Sequence, residues 1–287
     1  MPLIFVPAPL GNLRDITLRA LDVLRDCRLI VAEDTRVARR LLAALGLPSK
    51  PALSYREQNA AAVTPSILDR ARSEMVAVLS DAGMPGISDP GSALVAAARA
   101  AGIAVDVLPG PSAALGVAVL SGFDLHRFAF EGFPPRRSGE RRRAFARALA
   151  AGTTSIWFEA PHRIRAALAD LAAVAPQARV FLVREYTKLH EQQLLGTPAA
   201  VAAALPEPVR GEIAFAIEAS AESPLTAGAA GAHAGLHPSL EAAIAEGLQA
   251  GEHPVALARR LAAGGYGDRR SLYARIALHK EGGRPKG

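Results

Sequence analysis

Short runs of branched aliphatic residues recur along the chain, each followed by a stretch of helical period. This alternation constrains the fold more than any other feature. Strands are expected over residues 3–6, 29–32, 76–79, 105–108, 128–131, 155–159, 180–184 and 213–218. Helices are expected over 16–26, with Asp15 as N-cap, and over 36–45, 92–101, 140–150, 164–175 and 198–205. Such alternation implies α/β layers around a largely parallel sheet. In open sheets of this kind ligands sit beyond the carboxyl ends of the strands, so the loops there carry the functional signal.

Those loops hold unusual turn chemistry. The fullest is "SDAGMPGISDPG" (80–91), with two Asp, three Gly and two Pro directly after an apolar run. A plain turn needs about two to five residues. Others are "VPAPLGNLRD" (6–15), "AEDTR" (32–36), "PGPSAA" (109–114), "FEGFPPRR" (130–137), "FEAPHR" (158–163) and "REYTK" (184–188), with Gly211–Glu212 after them. Taken singly, Asp34, Thr35 and Ser112 read as helix caps and the Pro-Gly pairs as turns.

At 287 residues the chain exceeds one ordinary domain. The expected division is an α/β domain over 1–121, a second α/β domain over 122–222, a Gly/Ala-rich linker over 223–237 and a helical unit over 238–287. That last unit holds three short helical patterns, 239–250, 254–263 and 270–280, which suit a helix-turn-helix or a packing bundle. The single cysteine, Cys27, rules out an internal disulfide and fits a reducing cytoplasm. The first residues read as a strand and a turn, not a signal peptide, and the apolar stretch 107–123 is broken by Pro and Gly, so no membrane span is expected. His233 and His237 stand four apart but lack a supporting carboxylate, so no metal site is expected. A formal charge of +6 and a pI near 10.0 point to an anionic partner, nucleic acid first. Neither a P-loop nor a G-x-G-x-x-G after the first strand is present.

Taken together and in this order, "GNLRDITLRAL", "AEDTR", "SDAG-PGISDPG", "PGPSA", "EGF-P" and "E-PHR" resemble the ribosomal RNA small subunit methyltransferase I family of the tetrapyrrole-methylase superfamily. The resemblance runs from about residue 6 to 212 and implies two α/β domains with a cofactor cleft between them. It also implies methyl transfer from S-adenosylmethionine to the ribose 2′-hydroxyl of a decoding-centre cytidine in 16S rRNA, by a homodimer. By the same resemblance Pro7, Asp81, Ala82, Gly83, Ile87, Ser112, Ala113, Phe158, Arg184 and Glu212 would bind the cofactor. The chain departs from the family pattern at Ala8, Met84 and Ala160, which replace hydroxyl-bearing residues, and at Tyr186, which replaces leucine. Hydrogen bonds from those hydroxyls do not carry over.

In-line displacement at a sulfonium relies on positioning, and a base would add about 10²–10⁴-fold. Asp89 and Lys188 are the base candidates, with Glu159 and Glu185 behind them; Lys188 would need a depressed pKa, and Asp89 also reads as a helix start. Residues 136–147, "RRSGERRRAFAR", hold six arginines and one glutamate, from which Arg136, Arg137, Arg141, Arg142 and Arg143 are expected to contact RNA phosphates. Two other readings stand beside the RNA methyltransferase: a corrin or porphyrin methyltransferase, and a non-catalytic RNA-binding protein on the same fold.

Overall fold

The computed structural model describes residues 2–87, 91–219, 244, 247–248, 252–263, 272–273 and 276. Residues 1–220 form one compact unit and 221–287 a second.

The first half of the larger unit is a five-stranded parallel sheet in the order β3-β2-β4-β1-β5, built from β1 (Leu3–Val6), β2 (Leu29–Ala32), β3 (Ala52–Ser54), β4 (Val76–Leu79) and β5 (Val105–Val107). Its central strands are apolar throughout because both faces are covered, and the pleat sends alternate residues to opposite cores. Ile4, Val6, Ile30 and Leu79 pack under α1 (Leu18–Asp26) and α2 (Thr35–Ala44), while Leu3, Phe5, Val31 and Val78 meet α3 (Ala60–Ser73) and α4 (Gly91–Ala100). The N-cap of α1 is Thr17, whose hydroxyl accepts from the Ala20 N–H; Asp15 instead lies in a 3₁₀ turn, Leu13–Asp15, capped by Asn12. The extra turn displaces the helix start by two residues.

The second half is a sheet in the order β6-β7-β10-β8-β9, from β6 (Phe128–Gly132), β7 (Thr154–Glu159), β8 (Val180–Arg184), β9 (Gln192–Gly196) and β10 (Ile213–Ile217). Here the expectation of parallel strands fails. Only β6 and β7 run parallel; β10 is antiparallel to both neighbours, and β8–β9 is an antiparallel pair. Strand direction follows from connection geometry, which the apolar runs do not encode. One face carries α6 (Ser138–Ala150), α7 (Ile164–Val174) and α8 (Pro198–Ala204), with Phe145 of α6 packed on Trp157 and Phe215 of the sheet and Leu182 in the same core. The other is covered by α5 (Ala113–Ser121), which leaves the first sheet and buries Ala114, Val117 and Ala118 against Ile156, Phe181 and Ala214. That helix fixes the two sheets to each other.

In the smaller unit α9 (Pro254–Ala263) buries Leu257, Ala258 and Leu261 with Ile244, Leu272 and Ile276. The expected helices 239–250 and 270–280 fall mostly outside the described residues, as do the expected linker and the pair His233 and His237. Among the described residues no helix is long and apolar enough to cross a membrane.

Candidate active site

The loops beyond β1, β4 and β5 are tied to one another by backbone and by close packing. Ala8 and Gly83 exchange two backbone hydrogen bonds of 2.9 Å, and the Ser80 hydroxyl donates to the carbonyls of Ala82 and Gly83. Gly83 and Gly86 have φ of +71° and +89°, conformations that disfavour a Cβ. Pro7 packs flat on Gly110, where a Cβ would come within 2.7 Å of the proline ring. Asp34 caps α2 through the Arg36 N–H and pairs with the Arg36 side chain, which holds its carboxyl well below the usual carboxylate range. Its own N–H donates to Asp81 Oδ1 at 3.2 Å, joining "AEDTR" to the glycine-rich loop. Ser112 caps α5.

The antiparallel β10 shapes the other wall. Ile213 at its start pairs with Glu159 at the end of β7 and with Arg184 at the end of β8, so Gly211–Glu212 joins the loops after those strands. Glu185 Oε1 accepts from the Glu212 N–H at 2.9 Å, and Lys188 Nζ lies 3.0 Å from both Glu185 Oε1 and Glu212 Oε2. Glu185 and Thr187 adopt positive φ of 55° and 65°, strain placed on either side of Tyr186. The Tyr186 ring lies on Gly116 of α5, where a Cβ would come within 2.5 Å of it. Thr187 Oγ1 accepts from the Asn12 N–H, connecting this wall to the first loop.

Between the two walls lies a cavity of about 380 Å³. Asp81, Ala82, Gly83, Ile87, Ser112 and Ala113 line it from the first half, and Phe158 and Glu212 from the second. Pro7 and Arg184 do not reach it. Pro7 is the backing of Gly110, and Arg184 donates to Gln192 Oε1 and the Arg210 carbonyl, lashing β8 to its neighbours. Asp89 lies outside the described residues. Leu10, Glu33, Phe133, Glu159 and Tyr186 also line the cavity, although the motifs did not single out their side chains as cofactor contacts. Their shared signal is position, since each lies within a few residues of a strand end. The lining includes four acidic residues, Glu33, Asp81 and Glu212, which are exposed, and Glu159, whose carboxyl is buried, and among the described residues no lysine or arginine.

Lys188 does not meet the condition for a base. Burial alone would lower its pKa, but the hydrogen bonds and charges of Glu185 and Glu212 outweigh burial and raise it. Lys188 is the cationic brace of that corner. Glu159 is the reverse case: its side chain is fully buried, and burial pushes its pKa up against the opposing Ala160 N–H and the Arg163 charge. Arg163 Nη2 lies 3.1 Å from Glu159 Oε2 but donates to the Pro134 carbonyl, and Oε2 accepts no hydrogen bond. A carboxyl whose folded pKa is raised stabilises the fold below its unfolded pKa and loses that contribution as pH rises through the folded value. Glu159→Gln is therefore expected to raise Tm at neutral pH by about 2–4 °C, for about 1 kcal/mol. The gain should vanish as pH falls to the ordinary glutamate range. Thermal melts of both proteins across pH check this.

The arginine segment needs one correction. Arg141 is 5% exposed and makes a two-pronged ion pair with Asp170, so it is a packing residue and not an RNA contact. Arg136, Arg137, Arg142 and Arg143 are exposed along the start of α6. Among the described residues no group of three or more His, Cys, Asp or Glu is arranged to hold a metal ion.

Residues 2–203 match the family described as tetrapyrrole (corrin/porphyrin) methylases. The chain is 44% identical over 201 residues to the ribosomal RNA small subunit methyltransferase I of Neisseria meningitidis serogroup B, covering 70% of this chain and 69% of that protein. Against the protein of the same name from Thermotoga maritima it is 43% identical over 196 residues, covering 68% and 87%. Among solved structures it is similar to the uroporphyrin III C-methyl transferase of Thermus thermophilus, with a TM-score of 0.56, 21% identity, and coverage of 76% and 97%. A diphthine synthase gives a TM-score of 0.59 at 16% identity, with 76% and 90% covered.

Proposed function

Because the chain belongs to the ribosomal RNA small subunit methyltransferase I family, within the tetrapyrrole methylases, we propose that it methylates the ribose 2′-hydroxyl of a decoding-centre cytidine in 16S rRNA. The observation that carries the donor half of this reading is the charge of the cavity. The exposed acidic residues Glu33, Asp81 and Glu212, with no lysine or arginine in the lining among the described residues, suit a ligand that carries positive charge, while Phe158, Tyr186, Ile87 and Leu10 offer apolar walls to an aromatic base. When bound, S-adenosylmethionine supplies an electrophilic methyl on a cationic sulfur. Gly83 admits the backbone close to that ligand. Lys188 holds the Glu212 carboxylate in place and stays protonated, so its contribution is positional.

The acceptor half rests on the exposed arginines of α6, since a macrocycle needs no such surface whereas phosphates do. Ribosomal substrate places the protein in the cytoplasm. A homodimer fits Leu115 and Val119, which stand four apart on α5 and are both exposed.

A carboxylate attracts a unit charge about 4 Å away with roughly 1–4 kcal/mol, depending on how wet the site is. Asp81→Asn keeps the acceptor for the Asp34 N–H but removes the charge. It is expected to weaken S-adenosylmethionine binding by about tenfold or more and S-adenosylhomocysteine, which lacks the sulfonium charge, by less. Equal losses for both ligands, measured by calorimetry, would contradict charge recognition of the sulfonium. Label transferred to a tetrapyrrole precursor but not to small ribosomal subunits would overturn the acceptor half.

A further inference from the structure

We propose that Phe133 is the platform on which the base of the target nucleotide stacks, with Arg136 and Arg137 beside it for the adjoining phosphates. This rests on the RNA reading above. Phe133 follows β6, lines the cavity and is 54% exposed, an expensive place for a phenylalanine. Its ring is braced from behind: Phe158 meets it edge-on at 5.8 Å and is itself met edge-on by Phe130 at 5.0 Å.

The segment that carries the ring is clamped. Arg163 Nη2 donates to the Pro134 carbonyl at 2.6 Å and to the Pro135 carbonyl at 3.4 Å. Arg141 Nη1 donates to the carbonyls of Pro135 at 3.3 Å and Arg136 at 3.0 Å, while its other nitrogens are fixed by Asp170. Two consecutive prolines restrict φ between these anchors. Two guanidiniums thus hold three successive carbonyls, and the exposed aromatic is pre-organised, which cuts the ordering cost of binding.

An exposed aromatic next to exposed arginines matches what a splayed single-stranded nucleotide requires: a π-face for the base and cations for its phosphates. The adenine of the cofactor is the competing occupant. The arginines argue against it, because the acidic lining lies in the cavity while the exposed positive charge begins three residues after Phe133, past the two prolines.

The test compares Phe133→Ala, Phe133→Leu, Phe133→Tyr and Phe133→Trp in the full-length protein. With small ribosomal subunits from a strain lacking the gene, Phe133→Ala should raise KM about tenfold and leave the Kd of S-adenosylhomocysteine within about twofold. Tyr should restore KM and Leu should not. The protein's single tryptophan, Trp157, is buried, so Phe133→Trp adds a surface reporter whose fluorescence should be quenched by the subunits and not by S-adenosylhomocysteine. An unchanged KM in Phe133→Ala, or Leu working as well as Tyr, would overturn the platform while leaving the RNA reading intact. A weakened cofactor Kd at unchanged KM would give the ring to the cofactor. Failure of the wild-type protein to methylate RNA would overturn the RNA reading itself.

Discussion

Asp170→Ala is expected to cost about 3–5 kcal/mol of stability, because it strands a buried guanidinium. Asp170 on α7 is 4% exposed and accepts from Arg141 Nε at 2.8 Å and Nη2 through one oxygen. Its other oxygen accepts from Arg142 Nε and Ser138 Oγ, both at 2.7 Å. Burial alone would raise the Asp170 pKa, but the donors Arg142, Ser138 and Arg141 outweigh it and lower the value. A depressed carboxyl pKa gives stability that is present above the unfolded pKa and lost as pH falls through the folded one. The gap between wild type and Asp170→Ala should therefore narrow in acid. Replacing both partners by apolar residues, Arg141→Met with Asp170→Leu, should cost far less than Asp170→Ala alone. Denaturant midpoints for the three proteins decide it, and a loss under about 1 kcal/mol in Asp170→Ala would mean that the pair is solvated, as surface pairs are.

The second large effect is expected at Gly110. An alanine Cβ there would lie 2.7 Å from Pro7 Cβ and 2.9 Å from its Cγ. A flexible side chain would swing aside, but a proline ring is part of the backbone, so the loop after β1 must move. That loop carries the paired Ala8–Gly83 hydrogen bonds and Leu10 of the cavity wall. Gly110→Ala should lower stability by about 1–3 kcal/mol through overpacking. It should also weaken S-adenosylmethionine binding at least about tenfold as the loop is displaced. Gly139→Ala is the control, since nothing lies within 4 Å of its Cβ position and alanine favours the helix it sits in by about 1 kcal/mol. Equal affinity for the ligand in both variants would detach the Pro7–Gly110 contact from the site.

These residues also mark what could be read before the structure. The strands β1, β2, β4 and β8 are legible because burial on both faces demands an unbroken apolar run. The loop 80–87 is legible because its glycines must take conformations that other residues avoid. Two of the four edge strands escape this logic: β3 has three half-buried residues, and β9 reads "QQLLG", with two of its five residues exposed and none fully buried. The helix α5 escapes too, since it is apolar on nearly every side and so shows no period. Direction in the second sheet is the costliest omission, because the reversed β10 is what brings Glu212 beside Glu159 and Arg184. Charge reads poorly from sequence alone. Arg141 and Arg142 are neighbours of one type, yet one is buried on Asp170 and the other exposed, a difference set by which face of α6 meets α7.

The most direct measurement of the central claim is transfer of labelled methyl from S-adenosylmethionine to small ribosomal subunits from a strain lacking this gene, followed by mapping of the labelled nucleotide. Label is expected on the ribose 2′-oxygen of a single cytidine in the decoding centre. Label on a base, on another RNA, or on no RNA despite measurable cofactor binding would contradict it.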